Sequence, residues 1–246
     1  MEEMRKTAKK KHKAWLLALL AAILAVLLLL LEVGKQGVSL YRGYDLYCLP
    51  FHFCSLYLFT LPALAFYRGK HQHIVATINA AITTALFLIM LIYPNLIYSA
   101  SDVTGFFGEY ISFHTVVFHN LVMLACVLIP ALKLYSPAPK GETKAVALFI
   151  VGFCAVSATM AQLLQTNFNN FYSCNIPPLE ELRLSLQGAL GYGLTQLLYV
   201  LIVSLLDLLV VLLCILVGAF AQIRGSTALG DLVDDFILPM VASGST

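Results

Sequence analysis

The run from Ala14 to Leu31 carries no charged residue and is made mostly of leucine and alanine, which restricts where such a chain can fold. Crossing the hydrocarbon of a bilayer as a helix takes about 20 apolar residues, and further long apolar stretches follow along the chain. Overall 60% of the residues are hydrophobic and 11% charged, with a mean hydropathy of +0.87. That leaves too little polar surface to clothe a water-soluble globule of 246 residues. The apolar runs are leucine-rich rather than alternating, so they predict helices and not barrel strands. The expected fold is all-α, a polytopic membrane bundle of six transmembrane helices. The basic residues gather at the N-terminus and leave a net charge of only +2, so no nucleic-acid surface is indicated.

The pattern predicts helices over about 14–31, 46–66, 74–93, 111–134, 145–166 and 194–222. Lys and Arg in the connecting loops set the orientation. With the N-terminus in the cytoplasm, twelve of the 15 Lys and Arg fall inside, and Lys35, Arg42 and Arg183 fall outside. Both termini are then cytoplasmic and the protein belongs in the cell membrane. Three regions result: a basic segment 1–13, a membrane domain 14–222 and a tail 223–246. The first apolar run is long for a secretory signal, and no small-x-small cleavage site precedes Glu32, so it reads as an anchor. In the tail, Leu229, Leu232, Val233, Phe236 and Ile237 share a face against Asp231, Asp234 and Asp235, as in a short amphipathic helix. In the long outer loop 167–193, Pro177 and Pro178 open a short helix over about 179–186. Such a loop could serve as a lid.

Several polar residues lie inside apolar runs. Leu49-Pro50-Phe51-His52-Phe53-Cys54-Ser55 places a proline, a histidine and a thiol where leucine would be cheaper to bury. If 46–66 is one helix, Cys54 lies about 12 Å below its outer end, the same depth as His119 on the fourth helix. Ser112 and Thr115 precede His119 on one helical face, whereas His114 points about 140° away from it. Gln162 and Gln165 lie near the outer end of the fifth helix, with Asn167, Asn169 and Asn170 just beyond. Buried polar groups need partners, and these could be one another's. Asp207 stands near the middle of the sixth helix, where an ionised carboxylate is costly. His71 and His73 read as solvated. Of the six cysteines, Cys48 and Cys174 share the outer side and could pair there; the rest read as packing or, for Cys54, as chemistry.

A thiol becomes a nucleophile when a base takes its proton, and a histidine at hydrogen-bond distance is the usual base. Cys54 with His119 would supply that pair, and the electrophile available in a bilayer is a fatty-acyl ester. The reaction would be acyl transfer or ester hydrolysis, with the asparagine amides orienting a head group or stabilising an oxyanion. A metal held by His52, His114 and His119 is the weaker alternative, because the three are spread around their helices. No cofactor or metal is expected; membrane lipids, including an acyl-lipid substrate, are the expected partners.

The sequence Leu49-Pro50-Phe51-His52-Phe53-Cys54-Ser55 resembles the Leu-Pro-x-His-x-Cys-Ser signature of YwaF-type bacterial membrane proteins, which are similar to the transmembrane protein 164 family. Phe113-His114 followed by His119 is similar to the paired-histidine helix of that group, and Asn170-Phe171 with Pro178 to its outer segment. The resemblance implies a lipid acyltransferase fold in which a nucleophile on the Pro-x-His helix works with the later histidine, best matched by His119. Some eukaryotic relatives place cysteine between the Pro and the His, where this chain has Phe51. On this reading Cys54 is the nucleophile and His119 the base, while His52, His114, Ser112, Gln165 and Asn170 orient substrate. The competing readings are a non-enzymatic binding or transport subunit using Asp207, and a structural partner with no pocket chemistry.

Overall fold

The computed structural model describes residues 2–131 and 142–224, and the described residues contain helices and no strand. Eight α-helices follow in order: α1 Glu2–Tyr41, α2 Tyr57–Phe66, α3 Gln72–Ile92, α4 Ala100–Thr104, α5 Tyr110–Ala131, α6 Glu142–Leu164, α7 Pro177–Leu190 and α8 Tyr192–Arg224. Four of them contain stretches long and apolar enough to cross a membrane: Trp15–Tyr41, Gln72–Ile92, Glu142–Leu164 and Tyr192–Leu216. Two shorter apolar helices, Phe53–Phe66 and Tyr110–Ala125, lie between them in sequence. The tail helix expected near Leu229 and the end of the fourth helix beyond Ala131 lie outside the described residues.

Helix α1 packs on α2 and α5, α3 on α2, α5, α6 and α8, and α6 on α8. The core between them is aliphatic and small: Leu24, Leu28, Leu61, Leu64, Ile82, Val122, Ile150 and Ala161 are all buried. Much of α8 instead exposes leucine, as a helix facing lipid does. The end of the bundle that holds the C-terminus of α1 and the N-terminus of α5 also carries Pro50–Cys54, the end of α6 and all of α7. This is where the candidate residues gather.

Two expectations are corrected. The first helix continues past Leu31 to Tyr41, so Lys35 lies on the helix rather than in an outer loop. Its charges permit this because Glu32 pairs with Lys35 (2.9 Å) and accepts from Gln36 (2.7 Å), neighbours on one helical face. The second apolar segment is not one helix from Leu46. Residues Leu46–Cys48 and Phe53–Leu56 are 3-10 turns, separated by extended backbone at Leu49 and His52, and α2 starts only at Tyr57. Pro50 bars its predecessor from helical backbone. The depth reckoned for Cys54 along a continuous helix therefore does not apply.

Helices α2 and α3 are joined by buried polar groups. The Asn79 amide donates to the Thr60 carbonyl (3.1 Å) and accepts from Thr60 Oγ1 (3.0 Å), while the Tyr57 hydroxyl donates to Thr83 Oγ1 (2.8 Å). Asn79 is 1% exposed, and Pro62 in α2 has already removed one helical donor beside it. Asn79→Ala should therefore destabilise the bundle by about 1–3 kcal/mol, the range for leaving buried polar partners unsatisfied. Thermal unfolding in detergent, read by circular dichroism, measures the loss.

Candidate functional site

The extended break before α2 is held by a side chain from the far end of α6. Asn169 Nδ2 donates to the Phe51 carbonyl (2.7 Å) and to Ser157 Oγ (2.8 Å), and Asn169 Oδ1 accepts from the Phe53 N–H (2.7 Å). The buried Ser157 hydroxyl also donates to the Phe51 carbonyl (2.8 Å). Asn169 reaches this place because α6 ends at Leu164 in a left-handed turn at Gln165 (φ 51), closed by Thr166 N–H on the Ala161 carbonyl (3.1 Å). Asn169 (φ 50) and Asn170 (φ 60) are left-handed too, a conformation asparagine tolerates better than most residues. Phe51 and His52 both set ring edges against Phe168 (5.3 Å each), and Phe53 packs on Phe153 (5.0 Å). His52 Nε2 donates to the Tyr47 carbonyl (3.0 Å), which fixes its tautomer when neutral and leaves Nδ1 as the acceptor. Cys54 lies on the 3-10 turn just after this clamp.

Helix α5 carries two buried histidines in different settings. His119 Nδ1 lies 2.7 Å from the Thr115 carbonyl. A carbonyl only accepts, so Nδ1 carries the proton and Nε2 keeps its lone pair. The ring stands edge-on to Tyr98 (5.8 Å), and among the described residues no hydrogen bond to Nε2 is found. His114 instead faces α1, with Nε2 3.3 Å from Glu32 Oε2. Glu32, Lys35 and His114 are 6–8% exposed. Gln36 extends the group, donating to the Cys48 carbonyl (2.7 Å) and accepting from the Tyr44 hydroxyl (2.7 Å).

The sequence-predicted residues thus separate. Cys54, His52, His114 and His119 collect at one end of the bundle, but no hydrogen bond joins Cys54 to His119. The three imidazoles do not converge, and among the described residues no three His, Cys, Asp or Glu could hold a metal ion. Ser112 lies against Gly105, where an added Cβ would stand 2.9 Å from its hydroxyl. Gln165 is exposed at the helix end. Asn170 is spent on its own loop: its side chain accepts from the Asn175 N–H (3.2 Å) and its carbonyl from the Tyr199 hydroxyl. Asn167 likewise serves Tyr172, Ser173 and Asn175, so the asparagines brace backbone. Cys48 and Cys174 are free thiols. Asp207 lies apart on α8, its Oδ2 buried without a hydrogen-bond partner. Sequence reasoning missed the ion group at Glu32 and Lys35; its signal was their i, i+3 spacing at the end of an apolar run.

A model of the TMEM164 family matches residues 3–217, from the first turn of α1 to the last third of α8. The chain belongs to that family. No curated protein and no solved structure matches it. It is a multi-pass membrane protein of the TMEM164 family, and the matched region contains every candidate residue named above.

The family's matched region also includes α7, pinned to the bundle by Arg183. Its guanidinium donates to both Glu180 oxygens (2.8 and 2.6 Å) and to Gln196 Oε1 (3.1 Å), and lies over the Tyr199 ring (5.7 Å). Arg183 and the Cys174 N–H hold the Glu180 carboxyl below the usual carboxylate range, against a smaller opposing effect of burial.

Two outcomes follow from this geometry. Asn169→Ala removes two hydrogen bonds from the Pro50–Cys54 backbone and one from Ser157, so Cys54 should be alkylated faster by N-ethylmaleimide, measured by mass spectrometry, at a cost of about 1–3 kcal/mol in stability. For Glu180, the folded pKa lies below the unfolded one, so its stabilisation is complete above the ordinary carboxylate range and is lost as pH falls through the lowered value. Amide exchange in α7 should accordingly rise only in acid, and Glu180→Gln should show the raised exchange at neutral pH as well.

Proposed function

We propose that this TMEM164-family protein is a six-span lipid acyltransferase with both termini cytoplasmic, acting in the outer half of the bilayer. The observation that carries the reading is His119, a buried imidazole whose Nδ1–H is fixed on Thr115 and whose Nε2 is an unengaged base. It lies at the same end of the bundle as Cys54. The positive-inside count supports the orientation. The two short apolar helices supply the fifth and sixth spans.

On this reading His119 Nε2 takes the Cys54 thiol proton, and the thiolate attacks the carbonyl of an acyl-lipid ester. The tetrahedral intermediate collapses to a thioester on Cys54, and the leaving alkoxide takes the proton from His119. An acceptor alcohol, or water, then gives its proton back to His119 and attacks the thioester, restoring the thiol. The thiol–imidazole hydrogen bond forms as the acyl chain enters, since catalytic hydrogen bonds tighten in the reactive complex. The Asn169 clamp fixes the backbone that presents Cys54.

A second reading, binding or transport, rests on the unpartnered Asp207 carboxyl. It predicts that Asp207→Asn abolishes function while Cys54→Ala spares it. The acyltransferase reading predicts the reverse: Cys54→Ala and His119→Ala each lower acyl turnover by about 10²–10⁴-fold, and Asp207→Asn leaves it intact. Lipidomics of a deletion strain complemented with each variant decides between them, and unchanged acyl-chain turnover with Cys54→Ala would remove the enzymatic reading.

A further inference from the structure

Helix α7 is turned inside out relative to a helix on a water-soluble surface. Its ionic residues Glu180 and Arg183 face the protein, bonded to Cys174, Gln196 and each other. Its leucines do not: Leu179, Leu182, Leu186 and Leu190 are 43–56% exposed, and no residue of the helix is buried. At about 100° per residue these four occupy one stripe roughly 80° wide, flanking the pinned face, and Glu181 and Ser185 lie on the far side of that stripe. The helix therefore has three aspects: one ionic and docked on α8, one leucine-lined, one polar and exposed.

The fold says what meets the leucines. Pro177 and Pro178 start α7, and Gly191 (φ 77) is the sole residue between its end at Leu190 and the start of α8 at Tyr192. Helix α8 then enters the membrane, with Leu194, Leu197, Leu198 and Leu201 exposed along its first two turns and beyond. The exposed leucines of α7 thus continue directly into the lipid-facing leucines of α8. We infer that α7 is an interfacial helix lying in the plane of the membrane, its leucine stripe seated in the boundary between head groups and acyl chains. The Arg183–Glu180 pair does not reach for head groups; it holds the helix at the angle that presents the stripe. Glu181 and Ser185 face water.

The chain carries one tryptophan, Trp15. In a Trp15→Phe background, Leu186→Trp and Ser185→Trp place a reporter on the leucine and polar aspects of the same turn. Each is reconstituted in phosphatidylcholine vesicles containing brominated acyl chains, and Leu182→Trp serves as a second reporter should Leu186→Trp not fold. Leu186→Trp should be quenched about twice as strongly by bromines near the head-group end of the chain as by bromines near the midplane, because such a face sits about 5–10 Å into the boundary. Ser185→Trp should instead be quenched by aqueous iodide. Iodide quenching of the leucine-face reporter, without bromolipid quenching, would place the stripe in water and overturn the inference. So would bromolipid quenching that appears only when the protein is diluted in lipid, which would make a second copy the occupant.

Discussion

Hydrocarbon offers the backbone no hydrogen-bond partner, and every other feature of the site end depends on how the chain meets that condition between Leu49 and Leu56. An uninterrupted helix would satisfy it, but Pro50 offers no N–H and disfavours helical backbone at Leu49. The Asn169 side chain takes over, matching the Phe51 carbonyl and the Phe53 N–H in place of a helical ladder. For this it must leave α6 by a left-handed turn and return beside Ser157, which explains three non-glycine residues with positive φ in one short loop. Irregular backbone at such a place is tolerated only when protein or a cavity covers it, and the side chain it presents is Cys54.

The two histidines of α5 stand in different settings on one helix. His114 and His119 are five residues apart, so they point about 140° from each other. The first faces the buried Glu32–Lys35 ion pair, with its Nε2 3.3 Å from Glu32 Oε2. Breaking such a group would strand a charge, and its effect is to fix the register of α5 on α1. Tyr110 adds to this, its hydroxyl donating to the Leu31 carbonyl (3.2 Å) in the space left by the missing side chain of Gly34. With α5 so fixed, His119 is held where only one of its nitrogens is satisfied.

The helical, membrane-spanning character was legible because apolar run length is a one-dimensional property. Histidines 52, 114 and 119 were legible as a group because polar residues in such runs are few. What was not legible depended on contacts distant in sequence. Glu32 and Lys35 look like the end of a span until His114 is known to face them. The 46–66 run looks like one helix because Pro50 alone does not say whether a helix kinks or gives way to turns; Asn169, more than a hundred residues later, decides it. Likewise nothing local distinguishes Asn169, which clamps the site, from Asn170, which braces its own loop.

The distribution of polarity at this end also bears on what could react there. At this end Glu32 and Lys35 are bonded to each other inside the bundle, and on α7 Glu180 and Arg183 turn inward while leucines face out. On its outward side α8 exposes leucine after leucine, so that flank of the site end is bounded by lipid and not by water. A hydrophilic metabolite approaching from this side would shed its hydration with no polar surface to replace it. An acyl lipid is already solvated by the same chains, and only its ester must find polar partners. On the proposed reading, Nε2 of His119 is such a partner, and a lipid ester suits this flank better than a water-soluble substrate. Asp207 follows Tyr192 by about 22 Å of helix, farther toward the opposite end of the bundle than His119 is from Tyr110.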